Sequence, residues 1–290
     1  MDESLYEQHG EFLCASELTR GPWDPKAQHG GPVAAILMRE FERLDLASAG
    51  GGDMHITRLT CELLRPVPLG DLRVEASVVR PGRRVQLLEG TVTTPAGVEV
   101  ARARAAVVAR APVSAGGDPP WGLARGAHVA ATATPEPPSG PARGGPTRPP
   151  TEPDTSPAEP FLVVDWSPKF PGDGIEVRFT AGGFLKPGPA TVWFRLRVPL
   201  VAGEETSPMQ RLAAAADFPN GIASELDYTE FVFINPDLTL YVEREPRGEW
   251  ICLDASMRTV EGGGAVSEAV LYDLDGRVGR AMQSLYVARR

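Results

Sequence analysis

The chain has 290 residues, of which 42% are hydrophobic and 23% charged, ordinary proportions that allow one large globular domain or two small ones. Its formal net charge of −9 argues against a general nucleic-acid binder, which normally carries a basic surface. Its three cysteines form no CxxC pair and have no zinc spacing, so we expect buried thiols in a reducing compartment.

The N-terminal segment MDESLYEQHGEF is acidic and lacks the apolar core of a signal peptide. No apolar run approaches the roughly 18 residues of a membrane-spanning helix. The sequence therefore predicts a cytoplasmic protein that does not associate with membranes.

The first half is predicted to contain a strand, a helix and then about four strands. A short extended piece, FLCASEL, precedes the helix HGGPVAAILMREFERL, in which apolar residues recur at three- and four-residue spacing on one face. Strand-like runs separated by Pro, Gly and Asp follow: HITRLTCELL, LRVEASVVR, RVQLLEGTVTT and VEVARARAAVVAR.

Residues 112–160 form the clearest break in composition. They hold 13 of the 29 prolines and almost no large apolar residues. Such a stretch cannot bury enough surface to offset the entropy lost on ordering. We predict a linker here, partly extended and partly disordered, between an N-terminal unit, 1–111, and a C-terminal unit, 161–290.

The second half repeats the order of the first. The strands IEVRFTAG and TVWFRLRVPLV precede a helix predicted over PMQRLAAAADF, with Ser207 as N-cap and Pro208 at its first position. Four strands follow: LTLYVERE, EWICLDASMRTV, AVSEAVLYDL and VGRAMQSLYVAR, with a hairpin turn at DLDG. The repeated order predicts an α+β fold in which two antiparallel sheets, each wrapped round a central helix, join into one continuous sheet.

Missing motifs disfavour several kinds of chemistry. The sequence has no G-x-S-x-G elbow, no P-loop and no G-x-G-x-x-G behind a strand. None of its four histidines lies in the second half, so a Ser-His or Cys-His pair cannot form within that half. No two histidines have helix-face metal spacing. Catalysis there would use carboxylate, amide and hydroxyl groups acting on water, with no metal or cofactor.

Three residues of the second half are candidates for such a site. At the end of the alanine-rich helix, burial and the helix dipole would raise the pKa of Asp217, as suits a general base; alternatively, Asp217 is an exposed acid that ends the helix. Gln283 shares a strand face with apolar residues and needs a partner if it is buried. Asn235 precedes a proline, which is also typical of a plain turn.

The start of the first helix is a further candidate. Gly30 and Gly31 would let a ligand approach free N–H groups, or would simply let the helix pack tightly. His29 is counted with these two glycines as a substrate-binding candidate, and it is expected to be structural rather than catalytic. Four arginines beside loops of the first sheet could meet a phosphate group or simply be solvated: Arg65, Arg80, Arg83 and Arg84.

The order and spacing of these pieces resemble the acyl-CoA thioesterase II type of double-hotdog protein, in the thioesterase-like superfamily. The matching pieces are HGGPVAAILMRE, RPVPLGDLRVEASVVRPGRRVQLLEGTV, VWFRLR, AAAADF, INPDLTLYVEREP and YDLDGRVGRAMQS. The resemblance implies a fused double hotdog that hydrolyses an acyl-CoA or acyl-carrier-protein thioester. It also allows assembly into a homo-oligomer.

In that family an acid, a Thr or Ser hydroxyl and a Gln of the second hotdog hold the attacking water. Carried over, these roles fall on Asp217, Asn235 and Gln283, while the glycines at 30–31 lie by the thioester pocket. Asn235 departs from the hydroxyl pattern, so a non-catalytic acyl-thioester binder with a drifted site is the alternative. A hotdog hydratase usually pairs an Asp with a His and ranks lower, because the second half has no His.

Overall fold

The computed structural model describes residues 3–46, 53–110, 149, 151, 153 and 166–290. The predicted linker lies outside the described residues, apart from the three isolated positions. The limits of the two units therefore stay a prediction.

The first unit curls a sheet round helix α1 (Gly30–Glu42). A short 3-10 helix, Glu17–Thr19, precedes α1. The strands of this unit are β1 (Tyr6–His9), β2 (Phe12–Ala15), β3 (Met54–Leu63), β4 (Gly70–Arg80), β5 (Val85–Thr93) and β6 (Glu99–Ala109). The predicted helix and four following strands are all present.

The second unit repeats this plan round helix α2 (Pro208–Ala215), which is followed by a single turn, α3 (Pro219–Ile222). Its strands are β7 (Ile175–Ala181), β8 (Ala190–Leu196), β9 (Phe231–Ile234), β10 (Asp237–Val242), β11 (Ile251–Val260), β12 (Gly264–Asp273) and β13 (Gly276–Arg289). The predicted N-cap is confirmed, since Ser207 and Gln210 form a reciprocal capping box.

Antiparallel pairing of β3 with β10 joins the described parts of the two units into one sheet of 13 strands. The strand order is β1-β2-β4-β5-β6-β3-β10-β13-β12-β11-β8-β7, and β9 pairs with the end of β13. The hydrogen bond from the Leu63 N–H to the Pro236 carbonyl (2.7 Å) extends the junction beyond the paired residues. The predicted continuous sheet is confirmed.

Helix α1 lies between the sheet and α2, and this explains why it is buried on nearly all sides. Ten of its 13 residues are buried, more than the single apolar face in the sequence predicts. The two helices approach closely, because a Cβ added to Gly31 would collide with the Ala214 carbonyl oxygen. Only small residues allow such an approach, and Ala213 to Ala216 are all buried.

Three local predictions were incomplete or wrong. Helix α2 was expected to run to Phe218, but it ends at Ala215, because Pro219 cannot supply the N–H that a continuing helix needs. Strands β1 and β9 were not predicted, since four residues are too few to show a pattern.

Among the described residues, no helix combines the length and the hydropathy required to cross a membrane.

Candidate active site

Asp217 lies between α2 and α3 and is only 4% exposed. Although it follows the C-terminal end of α2, its carboxylate faces the N-terminal end of α1. Backbone N–H groups of Gly30 and Gly31 lie close enough there to lower its pKa. The unfavourable dipole expected from its own helix is therefore opposed by the favourable dipole of the neighbouring helix.

Two amide side chains hold the same carboxylate from the sheet. Asn235, between β9 and β10, donates from Nδ2 to Asp217 Oδ1 over 2.8 Å. Gln283, on β13, donates from Nε2 to the same oxygen over 2.8 Å and to the Asp217 carbonyl over 3.2 Å. The structure thus brings together the three residues that the sequence singled out in the second half.

A second set of hydrogen bonds fixes both amides with their nitrogen atoms towards the acid. The backbone N–H of Asn220 donates to Gln283 Oε1 (3.1 Å), and its side chain donates to Asn235 Oδ1 (3.1 Å). Ser267 Oγ also donates to Gln283 Oε1 (2.9 Å). Asn220 and Ser267 were not among the predicted site residues, because an Asn-Gly pair is typical of a turn and a strand serine has no local functional signal.

His29 reaches the site from the first unit. As the N-cap of α1, it accepts the Gly31 N–H on Nδ1 (3.0 Å), and the same nitrogen lies 3.2 Å from Asp217 Oδ2. Its ring stacks on Phe218, with ring centroids 4.5 Å apart. The low rank of a hydratase rested on the absence of His from the second half. This ground does not hold, because the first unit supplies the imidazole.

The glycines at the start of α1 are needed for the close approach of the acid. A Cβ on Gly30 would lie 2.5 Å from Asp217 Oδ2 and 2.9 Å from its Cγ, so any side chain there would displace the carboxylate. Gly31 is restricted by the helix packing described above.

Burial controls the ionisation of this cluster. It raises the pKa of Asp217 to about 7, against the opposing effect of the hydrogen bonds from Asn235 and Gln283. Burial also lowers the pKa of His29 to about 3, so the imidazole is neutral. Buried Cys61 lies nearby, and desolvation raises the pKa of its thiol, which is therefore also neutral. The direction of this shift is the one expected for Asp217, and such a carboxyl changes charge near neutral pH.

A cavity of about 490 Å³ opens onto the acid. His29, Gly30, Asp217, Asn220 and Asn235 form its polar side, whereas Gln283 lies behind them and is only 1% exposed. Its apolar wall includes Trp23, Leu63, Val67, Ile234, Pro236 and Tyr286. Of the four arginines considered as phosphate ligands, Arg65 lines this cavity and the three at the β4–β5 connection do not.

One group of metal-ligating residue types lies elsewhere among the described residues, although the sequence spacing indicated none. His9, Cys14 and Asp71, on β1, β2 and β4, place their ligand atoms within 4.8 Å of one another. The side chains of His9 and Asp71 are 55% and 47% exposed. Cross-strand pairing brings these side chains together, an arrangement that spacing along the chain does not reveal.

Two family models match the chain. The acyl-CoA thioesterase N-terminal domain matches residues 19–111, and the acyl-CoA thioesterase C-terminal domain matches residues 146–287. No curated protein sequence is significantly similar to the chain.

Solved structures share the fold at low sequence identity. An acyl-CoA thioesterase II from Mycobacterium marinum is 16% identical, with a TM-score of 0.60 over 100% of this chain and 95% of that one. A conserved protein of unknown function with a hot dog fold, from Alicyclobacillus acidocaldarius, is also 16% identical, with a TM-score of 0.62 over 98% and 95% of the two chains. The architecture is therefore a double hotdog.

Proposed function

Because the chain belongs to the acyl-CoA thioesterase family and is a thioester hydrolase, we propose that it hydrolyses an acyl-CoA by activating a water molecule beside Asp217. The observation that carries this proposal is the buried Asp217 carboxylate, which opens onto a cavity and has a pKa of about 7. A base with this pKa is half ionised at neutral pH and can accept a proton from water.

In the proposed reaction Asp217 takes a proton from the water while the oxygen attacks the thioester carbonyl. Asn235 lines the cavity, and its Oδ1 has a second lone pair that can accept a hydrogen bond from the water. Gln283 orients Asp217 from behind. The C–S bond then breaks, and the products are the free acid and the thiol. No metal or covalent intermediate is needed.

The start of α1 is the proposed source of oxyanion stabilisation. The N–H groups of Gly30 and Gly31 lie near the Asp217 carboxylate, and that of Gly31 donates to His29 Nδ1. Once Asp217 has taken the proton, its oxygens become weaker acceptors, at the moment when the substrate oxygen becomes negative. Each N–H that redirects its hydrogen bond from Asp217 to the oxyanion would stabilise the transition state by about 3 kcal/mol.

The Asp217→Asn variant tests this site. An amide cannot accept the proton, so turnover of acyl-CoA should fall at least 10²-fold, the usual scale for loss of general base catalysis. Free thiol is titrated during incubation with saturated acyl-CoA substrates of increasing chain length. Asp254→Asn, which changes an exposed aspartate on β11, is the matched control and should keep full activity. Normal turnover by Asp217→Asn would discard the site.

The alternative is a non-catalytic binder of acyl thioesters, favoured by Asn235 in place of a hydroxyl. A binder would release no thiol from any substrate in the series, yet acyl-CoA would raise its melting temperature. Release of thiol by the wild-type protein and not by Asp217→Asn excludes this alternative.

A hydratase is a second candidate, because His29 lies 3.2 Å from Asp217 and both line the cavity. A carboxylate and an imidazole on one water could add it across an activated double bond. Incubation with a 2-enoyl-CoA separates the two reactions: hydration removes the conjugated absorbance without releasing thiol, whereas hydrolysis releases thiol.

The setting of the reaction is also part of the proposal. All three cysteines are free, as expected in the reducing cytoplasm, where we place the protein. We assign it to lipid metabolism. An acyl-carrier-protein thioester remains an alternative substrate, and a homo-oligomer an alternative to the monomer.

A further inference from the structure

His29 has one ring nitrogen committed to the site and one free for a ligand. Nδ1 accepts the N–H of Gly31 (3.0 Å), so the neutral ring carries its proton on Nε2. In the described part of the chain, no atom accepts a hydrogen bond from Nε2. This nitrogen is not fully buried either, so the missing partner is not an unsatisfied buried donor. Because His29 lines the cavity, its Nε2–H is available to a bound substrate.

The other ring nitrogen, Nδ1, lies next to Asp217, which takes the proton from the water in the proposed reaction. Nδ1 lies 3.2 Å from Asp217 Oδ2, whereas Asn235 and Gln283 both donate to Oδ1. A proton on Oδ2 can therefore pass to Nδ1. Aromatic packing holds the ring in place. The His29 ring is stacked on Phe218 with centroids 4.5 Å apart, and its centroid lies 5.3 Å from that of Phe170.

Thioester cleavage leaves a thiolate that must be protonated, since a simple alkyl thiol has a pKa of about 8.5. We propose that His29 is a catalytic residue that donates its Nε2 proton to the departing sulfur of the substrate. This inference rests on the proposed hydrolysis at Asp217. It reverses the expectation that His29 is structural rather than catalytic.

The protons balance in this scheme. Water gives one proton to Asp217 and its hydroxide to the acyl carbon, and the C–S bond breaks with both electrons remaining on sulfur. His29 gives its Nε2 proton to that sulfur as Nδ1 releases the Gly31 N–H and receives the proton from Asp217 Oδ2. The imidazole ends neutral in its other tautomer and Asp217 ends as a carboxylate. Exchange with water in the cavity restores the first tautomer.

The His29→Asn variant separates a proton donor from a structural cap. Asn is a good N-cap, and its side-chain oxygen can take over the Gly31 N–H, but nothing then replaces Nε2. The variant and the wild-type protein are compared on an acyl-CoA and on the same acyl group carried by an aryl thiol, whose thiolate leaves without a proton. We expect kcat/KM to fall about 10²-fold for the acyl-CoA and to change little for the aryl thioester.

Equal losses on the two substrates would overturn the assignment, because a distorted site does not distinguish leaving groups. Asp217→Asn is the reference and should lose activity on both; if it keeps activity, the proposed hydrolysis fails independently of His29. Should His29→Asn not fold, the wild-type protein alone gives the answer with thioesters of graded thiol acidity. Proton donation by His29 gives a shallow dependence of kcat/KM on that acidity, and a steep dependence contradicts it.

Discussion

Asp217 is held in a well-defined geometry, but burial makes its negative charge unfavourable. Two amides donate to Oδ1 and two nearby backbone N–H groups also favour the charged form, yet burial still raises its pKa to about 7. The ordinary pKa of Asp is about 3.9. The folded protein therefore binds a proton on Asp217, between about pH 4 and 7, that the unfolded chain releases. The contribution of Asp217 to stability is greatest below pH 4 and is lost as the pH rises through 7.

We therefore expect Asp217→Asn to stabilise the fold increasingly as the pH rises. The amide keeps an acceptor for Asn235 and Gln283 and can donate to His29 Nδ1, without a buried charge. The difference in melting temperature between the variant and the wild-type protein should grow from about pH 4 to 7 and level off above. His29 titrates in both proteins, so it cancels in the difference. A difference that shrinks with rising pH would contradict the environment described here.

The sequence contained part of this site at the residue scale. Asp217 and Gln283 were located because the order of surrounding segments resembled a known family. The contact of His29 with Asp217 was missed, because it depends on how two helices from different units meet. Asn220 and Ser267 were missed because a turn residue and a strand serine gain their roles only from the side chains that face them.

At the scale of elements, the two helices exchange their terminal acids. The start of α1 receives Asp217, which follows α2. The start of α2 receives Glu42, the last residue of α1, which accepts hydrogen bonds from Ser207 Oγ (2.8 Å) and Gln210 Nε2 (2.8 Å). This reciprocal arrangement shows that the helices lie antiparallel, each with a negative group at the positive end of its neighbour.

The two glycines at the start of α1 should respond differently to substitution. In Gly31→Ala the new Cβ meets the Ala214 backbone, so the helices must separate, at a cost of roughly 1–3 kcal/mol. In Gly30→Ala it meets the Asp217 side chain, which can move, so activity should fall far more than stability. Thermal unfolding and kcat/KM of both variants test this contrast. Identical profiles for the two variants would contradict the assigned neighbours.

The long elements could be predicted from the sequence, and the short ones could not. Helix α1 and strands such as β3 and β12 have enough residues for a clear pattern. The end of α2 was misplaced by three residues, because alanine and aspartate give no sharp stop before the proline. β9 is defined by its pairing with the end of β13, a tertiary contact with no local signal.

At the scale of the whole molecule, the two units are repeated in plan but differ in chemistry. A cavity of about 290 Å³ lies beside Glu42, opposite the larger one beside Asp217. At the adjoining start of α2, Pro208 has no N–H, and Ser207 Oγ takes the N–H of Gln210. The capping of this helix end therefore differs from that at Gly30 and Gly31, and the acid beside it is a different residue. We therefore expect one thioester site per chain, at Asp217.

Titration of the inactive Asp217→Asn variant with acyl-CoA should therefore give one equivalent bound per chain. Isothermal calorimetry measures this stoichiometry directly. Glu42→Gln serves as the comparison, since it alters the other cavity and should leave the stoichiometry at one. Binding of two equivalents, reduced to one by Glu42→Gln, would reveal a second site.

The joined sheet could be predicted in outline, because each half repeats a strand-rich order round one helix. The pairing of β3 with β10 could not be derived from patterning, since several strands have suitable alternation and only packing selects the neighbours. The relation of the two helices was likewise not predicted, although both cavities depend on it.

The exchange of terminal acids between α1 and α2 affects how the two helix ends can evolve. In an assembly of two identical subunits, every substitution enters both copies of a site at once. In this chain a substitution at one helix end leaves the other end unchanged. Glu42 can therefore be selected for the hydrogen bonds that link the two helices. Asp217 can be selected independently for proton transfer.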